Sequence, residues 1–278
     1  MRFEKWQALG NDYVIVEAAA LPWELTPERV RRLCDRHFGV GADGVLELSR
    51  SEEPGYAARL RIFNPDGSEA ELSGNGAREA ILYLRRSGWT SADTFSIQTR
   101  AGEIRPTILS ESTCRVDMGR ARLESADYPS GSPDGRGEVA GRAFQHVSIG
   151  NPQCAIRVAD AGALESLDLG AIGPPIETSE LFPNRTNVSF WTELASNEIR
   201  ARIFERGVGE TMSSGTGASG AAIAHVLRGG DSPVTVRLDG GTLEVDVDEA
   251  LHVDLTGWAL PVHAGELSPE LVEQLRSA

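Results

Sequence analysis

The stretch RIFNPDGSEAELSGNGAREAILYL, Arg61–Leu84, returns later in the chain as RIFERGVGETMSSGTGASGAAIAHVL, Arg202–Leu227. Arg61, Ile62 and Phe63 reappear as Arg202, Ile203 and Phe204, and Ser73, Gly74, Gly76 and Ala77 reappear as Ser214, Gly215, Gly217 and Ala218, all at one offset of 141 positions. Internal repetition of this kind decides the architecture before any local propensity does. In each copy an alternating apolar run reads as a strand, a polar loop with glycine follows, and SGxGA opens a helical pattern. The first helix is expected to bury Ala77, Ala80, Ile81 and Leu84 on one face, and the second Ala218, Ala221, Ala222 and the stretch from Ile223 to Leu227. Their first turns are nearly all Gly and Ala, so each helix start can lie deep in a domain, where backbone N–H groups and the positive dipole end favour an anion. Two such starts predict one ligand shared by two halves.

A chain of 278 residues has room for two domains of ordinary size. The first is expected over residues 1–120, with the tail 260–278 packing back on it, and the second over residues 121–259, in an α/β (α+β) class. The net charge of −14 leaves no basic patch to neutralise nucleic-acid phosphates or to meet anionic lipid, so the expected partner is a small molecule, with a homodimer as an assembly the sequence admits. The N-terminal MRFEKWQALGNDY has no apolar core of signal-peptide length and no later run reaches a membrane span, which predicts a cytoplasmic protein. Cys34, Cys114 and Cys154 are odd in number and lack metal spacing, and read as reduced, mostly buried thiols.

Along the chain, Phe3 to Ala8 and Tyr13 to Val16 read as strands around the turn Leu9–Asp12. Thr26-Pro27 caps a helix expected to run to about His37 and to end at Gly39. A glycine loop, Gly39–Gly44, leads into a strand from Val45 to Leu48, and further strands are expected at Thr94 to Thr99, Gly102 to Ile108 and Cys114 to Met118. Residues 126–142, rich in Pro, Gly, Ser and Asp, read as a surface linker. The second half opens with a strand from Phe144 to Ile149 and a turn Gly150-Asn151-Pro152 that echoes Gly10-Asn11-Asp12. Strands at Thr186 to Thr192, Glu198 to Phe204, Val234 to Leu238, Thr242 to Val247 and Leu251 to Thr256 complete it.

Gly215–Gly220 fits GxGxxG, yet about ten residues separate it from the preceding strand and the first copy, GNGARE, lacks the third glycine, which speaks against a dinucleotide site. No GxxxxGK[ST], HExxH or CxxC occurs, so nucleotide, zinc-protease and iron–sulfur readings lack support and no metal site is expected. Ser73 and Ser214 each precede a helix, where serine is a favoured N-cap with or without chemistry.

Five motifs, LGNDY from Leu9, RIFNPDGSE with SGNGAR from Arg61, GNPQC from Gly150, RTNVSF from Arg185 and ERGVGETMSSGTGA from Glu205, span nearly the whole chain in order. Together they resemble the diaminopimelate epimerase family of cofactor-independent amino-acid racemases and epimerases. The resemblance implies two pseudo-symmetric halves, each a curled mixed sheet around a central helix, with the substrate between them. It implies inversion at Cα by two opposed acid/base groups at Ser73 and Ser214, positions where the family carries cysteines. It also implies substrate contacts from Asn11, Asn64, Asn75, Asn151, Asn187, Glu205 and Arg206, and from the backbone of Gly74, Gly76, Gly215 and Thr216.

Three departures stand out. A hydroxyl is a far weaker acid than a thiol and makes a poor base without help, so both serines raise the difficulty of removing a Cα proton. Gln153 stands where the family usually has histidine, and an amide orients but does not take a proton. Gly44 differs from one common family form at a loop facing the distal end of the substrate. Other readings stay open beside the epimerase: a relative acting on another small acid, an amino-acid-binding paralogue, and a Cys-to-Ser form of an active enzyme. For single Asn residues the alternative is a turn, and for Glu205-Arg206 a surface ion pair.

Overall fold

The computed structural model describes residues 1–277, so Ala278, the last residue of the expected tail, lies outside the described residues. In chain order the elements are β1 (Arg2–Ala8), β2 (Asn11–Glu17), α1 (Pro27–Cys34), β3 (Val45–Ser49), β4 (Tyr56–Phe63), β5 (Glu69–Ala70), α2 (Gly74–Arg86), β6 (Ser96–Thr99), β7 (Gly102–Ile104), β8 (Pro106–Ile108) and β9 (Thr113–Arg120). There follow β10 (Arg136–Val139), β11 (Arg142–Ser148), β12 (Pro152–Arg157), α3 (Ala161–Glu165), α4 (Leu169–Glu177), β13 (Asn187–Ala195), β14 (Glu198–Glu205), β15 (Gly209–Thr211), α5 (Gly215–Val226), β16 (Val234–Leu238), β17 (Gly241–Val247), β18 (His252–Trp258), β19 (Leu260–Glu266) and α6 (Pro269–Ser277). They form two compact units, one of Met1–Val116 with the residues from Gly257 onward and one of Asp117–Thr256. No helix among the described residues is long and apolar enough to cross a membrane.

The duplication seen in the sequence is a duplication of strand pairing. In the first unit the order β1-β2-β3-β4-β6-β7 runs through antiparallel, parallel, antiparallel, parallel and antiparallel neighbours. In the second, β11-β12-β13-β14-β16-β17 repeats that order and every one of those senses. A mixed sheet of this kind needs crossovers between its parallel neighbours, and the repeated helices supply them: α2 joins β5 to β6 as α5 joins β15 to β16. To this frame the first unit adds β19, antiparallel to β1, and the second adds β10, antiparallel to β11.

Each sheet is covered on both faces. Along β2, Val14 and Val16 join Val30, Leu33, Phe63 and Leu275 in a core between the sheet and the pair α1 and α6. The intervening Tyr13 and Ile15 belong to the other face, where α2 packs on β1, β2 and β3. The second unit repeats the plan, with Cys154, Ile156, Val188, Phe190 and Phe204 packed against Leu164, Leu169 and Ile176 of α3 and α4, and α5 on the opposite face. Burial of α2 goes further than one apolar face: every residue from Asn75 to Leu84 is buried, Arg78 and Glu79 included. Arg78 is held from within its own helix, donating to the Gly74 carbonyl at 3.0 Å and to Asn75 Oδ1 at 2.6 Å.

Two local expectations change. The first helix stops at Cys34 instead of reaching His37, because Asp35 Oδ1 takes the N–H groups of both His37 and Phe38 at 2.8 Å and turns the chain. Residues 126–142 are not a surface linker throughout. They contain β10, and Tyr128 and Val139 are buried in the core of the second unit, with the Tyr128 ring 5.3 Å from that of Phe144 and 5.6 Å from that of Phe182.

Candidate active site

Ser73 and Ser214 are both N-caps. Each has an extended backbone, with φ −131° and −145°, and each side-chain oxygen accepts the amide three residues on, Gly76 N at 3.1 Å and Gly217 N at 3.2 Å. Small residues make both starts tight: a Cβ on Gly217 would lie 2.9 Å from Ile203 Cγ2, and one on Gly76 would lie 3.0 Å from Leu46 Cδ2. Beyond the cap bond the two serines differ.

Ser214 Oγ donates to Glu205 Oε2 at 2.9 Å, and Thr211 Oγ1 donates to the other oxygen, Oε1, at 2.8 Å. Strand parity explains the pairing, because Ile203 faces α5 and Glu205, two residues on, follows it to the same side. Desolvation pushes the Glu205 carboxyl above the ordinary glutamate range, against the lowering effect of the two hydroxyls. Ser73 Oγ has a phenol as its partner: Tyr13 OH donates to it at 3.1 Å.

The remaining expected residues fall into small clusters within each unit. Asn11 donates to Asp43 Oδ2 at 3.1 Å and accepts from Asn75 Nδ2 at 3.2 Å. Asn151 repeats this link in the second unit by donating to Thr216 Oγ1 at 3.2 Å, so each turn before a second strand is tied to the second residue of a central helix. Gln153, fully buried, donates to Asn151 Oδ1 at 2.6 Å, and its Oε1 has no hydrogen-bond partner among the described residues. Asn187 accepts from Arg206 N at 2.9 Å and donates to Pro152 O at 3.2 Å.

Asn64 is held inside its own turn, donating to Ser68 Oγ at 3.0 Å. Arg206 reaches the Asn184 carbonyl at 2.9 Å, and no ion pair joins it to Glu205 among the described residues, which removes the ion-pair reading. Gly44 lies beneath Tyr13, since a Cβ there would come 2.4 Å from Tyr13 Cε1 and 2.4 Å from the Phe63 carbonyl oxygen. Tyr13 and Thr211 are the site residues that sequence reasoning missed. Tyr13 sits inside the LGNDY motif, and its signal is parity: it precedes Val14 and so faces away from the α1 core.

The diaminopimelate epimerase model matches residues 3–124 and 145–259, which include both serines and every cluster above. The chain belongs to the diaminopimelate epimerase family. Diaminopimelate epimerases of Pelotomaculum thermopropionicum and Desulforudis audaxviator are 42% and 44% identical to it, each over 96% of this chain and 98% or 99% of their own length. Among solved structures, a phenazine biosynthesis protein of the PhzF family from Bacillus anthracis superposes with a TM-score of 0.69 at 20% identity, covering 96% of this chain and 99% of its own. A hydroxyproline epimerase from Agrobacterium vitis gives 0.68 at 15% identity, over 98% and 94% of the two chains. At such identities these structures establish the fold alone, two halves of like topology, and the family assignment rests on the closer relatives.

Proposed function

We propose that this diaminopimelate epimerase family member is a cofactor-independent isomerase that inverts an amino-acid Cα by two-base proton transfer, with LL- and meso-diaminopimelate as its substrate pair. The observation that carries this reading is the chain-long agreement with relatives named diaminopimelate epimerase. Ser73 and Ser214 are the proposed proton carriers, each at the start of its own unit's central helix. Asn11, Asn64, Asn75, Asn151, Asn187, Glu205 and Arg206 hold the amino acid, while backbone amides around Gly74, Gly76, Gly215 and Thr216 take its α-carboxylate.

A serine hydroxyl needs a base behind it, and Glu205 supplies one. As Ser214 takes the Cα proton, its own proton passes along the 2.9 Å hydrogen bond to the carboxylate. Because burial raises the proton affinity of Glu205, that carboxylate is a stronger base than a solvated glutamate. Incubating the protein with diaminopimelate in deuterium oxide tests the reading. Deuterium is expected at Cα together with inversion, and no exchange at high protein concentration overturns the assignment.

A second reading has its own support: both serines satisfy helix caps, as they would in a protein that only binds the amino acid. Calorimetric binding of diaminopimelate without Cα exchange would establish it.

A further inference from the structure

The duplicated pairing lets each residue of one half-site be placed on its counterpart in the other. Val14 pairs with Val45 and Val45 with Phe63, as Cys154 pairs with Val188 and Val188 with Phe204. Since Phe63 and Phe204 are the same repeat position, Tyr13 corresponds to Gln153, Gly44 to Asn187 and Asn64 to Glu205. The two serines are equivalent, but their partners are not. Ser214 is held by the residue equivalent to Asn64, which turns away to Ser68, and Ser73 by the residue equivalent to Gln153, which turns to Asn151. One serine therefore donates to a carboxylate while the other accepts from a phenol and an amide.

We propose that Tyr13 is a positioning residue for Ser73: its phenol holds the Ser73 oxygen as an acceptor and makes this serine the acid of the pair, with Ser214 and Glu205 as the base. The proposal rests on the isomerase reading above. With two hydrogen bonds arriving at its oxygen, Ser73 has its own proton to direct at the substrate. In one direction the Cα–H bond breaks, the proton goes to the Ser214 oxygen and the Ser214 proton to Glu205, which becomes neutral. The electron pair left on Cα takes the Ser73 proton, and Ser73 takes the Tyr13 proton, leaving a phenolate. Water then returns a proton to Tyr13 and removes one from Glu205, and the opposite direction runs the same transfers backwards. Gly44 belongs to this device, because any side chain there would meet the Tyr13 ring.

A thiol placed at position 73 reports on Tyr13 without any turnover. In a Ser73→Cys variant, alkylation rate against pH gives the thiol pKa, and the native thiols stay silent: burial pushes Cys34 and Cys114 up to about 12 and Cys154 well above its usual value. Adding Tyr13→Phe is expected to raise that pKa by about one unit, a roughly tenfold slower reaction at neutral pH, through loss of a donor to the thiolate. Global incorporation of 3-fluorotyrosine, a stronger donor, is expected to lower it. Identical titrations in all three proteins overturn the proposal. In the serine protein, Tyr13→Phe is expected to cut inversion of diaminopimelate at least tenfold while deuterium exchange on the Ser214 side persists. Unchanged inversion also overturns it. A wild-type protein that exchanges nothing sinks the isomerase reading instead, and the thiol titration still decides whether Tyr13 controls position 73.

Discussion

Glu79 sits in the second turn of α2 with no solvent exposure. Burial raises its pKa well above the ordinary glutamate value, with Arg78 acting in the opposite direction. The folded protein therefore keeps a proton that the unfolded chain releases near pH ~4.3. This stabilisation is fully present below that pH and is lost as pH rises towards the folded pKa, with a slope of at most about 1.4 kcal/mol per pH unit. A Glu79→Gln variant lacks that slope. Urea unfolding at pH 5 and pH 8 is expected to show the variant gaining on wild type by about 1 to 3 kcal/mol between the two. A difference that does not move with pH would mean Glu79 ionises alike in both states. The repeat alone does not foretell this residue, because its counterpart 141 positions on is Gly220, where a Cβ would lie 2.8 Å from Gln153 Cβ.

At the level of elements, the close approach of α5 to β12 makes a clear demand. A Cβ on Gly220 would lie 2.8 Å from Gln153 Cβ and 3.0 Å from its Cγ, and Gln153 Cβ is fixed to a strand that pairs on both sides. Gly220→Ala improves helix propensity by ~1 kcal/mol but forces helix and sheet apart, and overpacking of this kind costs about 1 to 3 kcal/mol. A net loss of up to about 2 kcal/mol is expected in thermal unfolding; a more stable variant would show that the helix slides freely on the sheet. The central strands and helices were legible because alternation and SGxGA survive in both copies. The short helices α3 and α4 were not. In α4, Pro174 and Pro175 lie past the first turn, where proline normally ends a helix, and tertiary contact overrides it: the Phe204 ring fills the space beside Gly173. Gly102 to Ile108 reads as one strand and forms two, β7 and β8, parted at Arg105. Of the site, the serines, glycines and asparagines were legible from motifs, whereas Tyr13 shows only through strand parity and Thr211 lies on a strand of three residues, too short to show one.

For the molecule as a whole, duplication has produced two serine sites of equal backbone and unequal chemistry, and the proposed reaction needs both at once. This makes the double replacement Ser73→Cys with Ser214→Cys the sharpest probe. Oxygen to sulfur adds no carbon, so the caps at Gly76 and Gly217 survive with slightly longer bonds. Thiols titrate near ~8.5 and fall further at a helix N-terminus, so each would carry a base of useful strength without a carboxylate relay such as Glu205. The double variant is expected to invert diaminopimelate at least tenfold faster than the serine protein, since matched acid and base groups contribute about 10²–10⁴-fold in such steps. Either single replacement is expected to gain much less, because inversion asks one half to remove a proton and the other to supply one in each direction. Solvent exchange without inversion is the signature expected of the singles. A serine protein already as fast as the double variant would mean that Glu205 and Tyr13 activate the hydroxyls fully. A double variant that binds diaminopimelate and stays inert would turn attention to Gln153, whose unpartnered Oε1 marks the place where an imidazole is expected to accept a proton that the amide does not take, and Gln153→His in the double background is the next protein to assay.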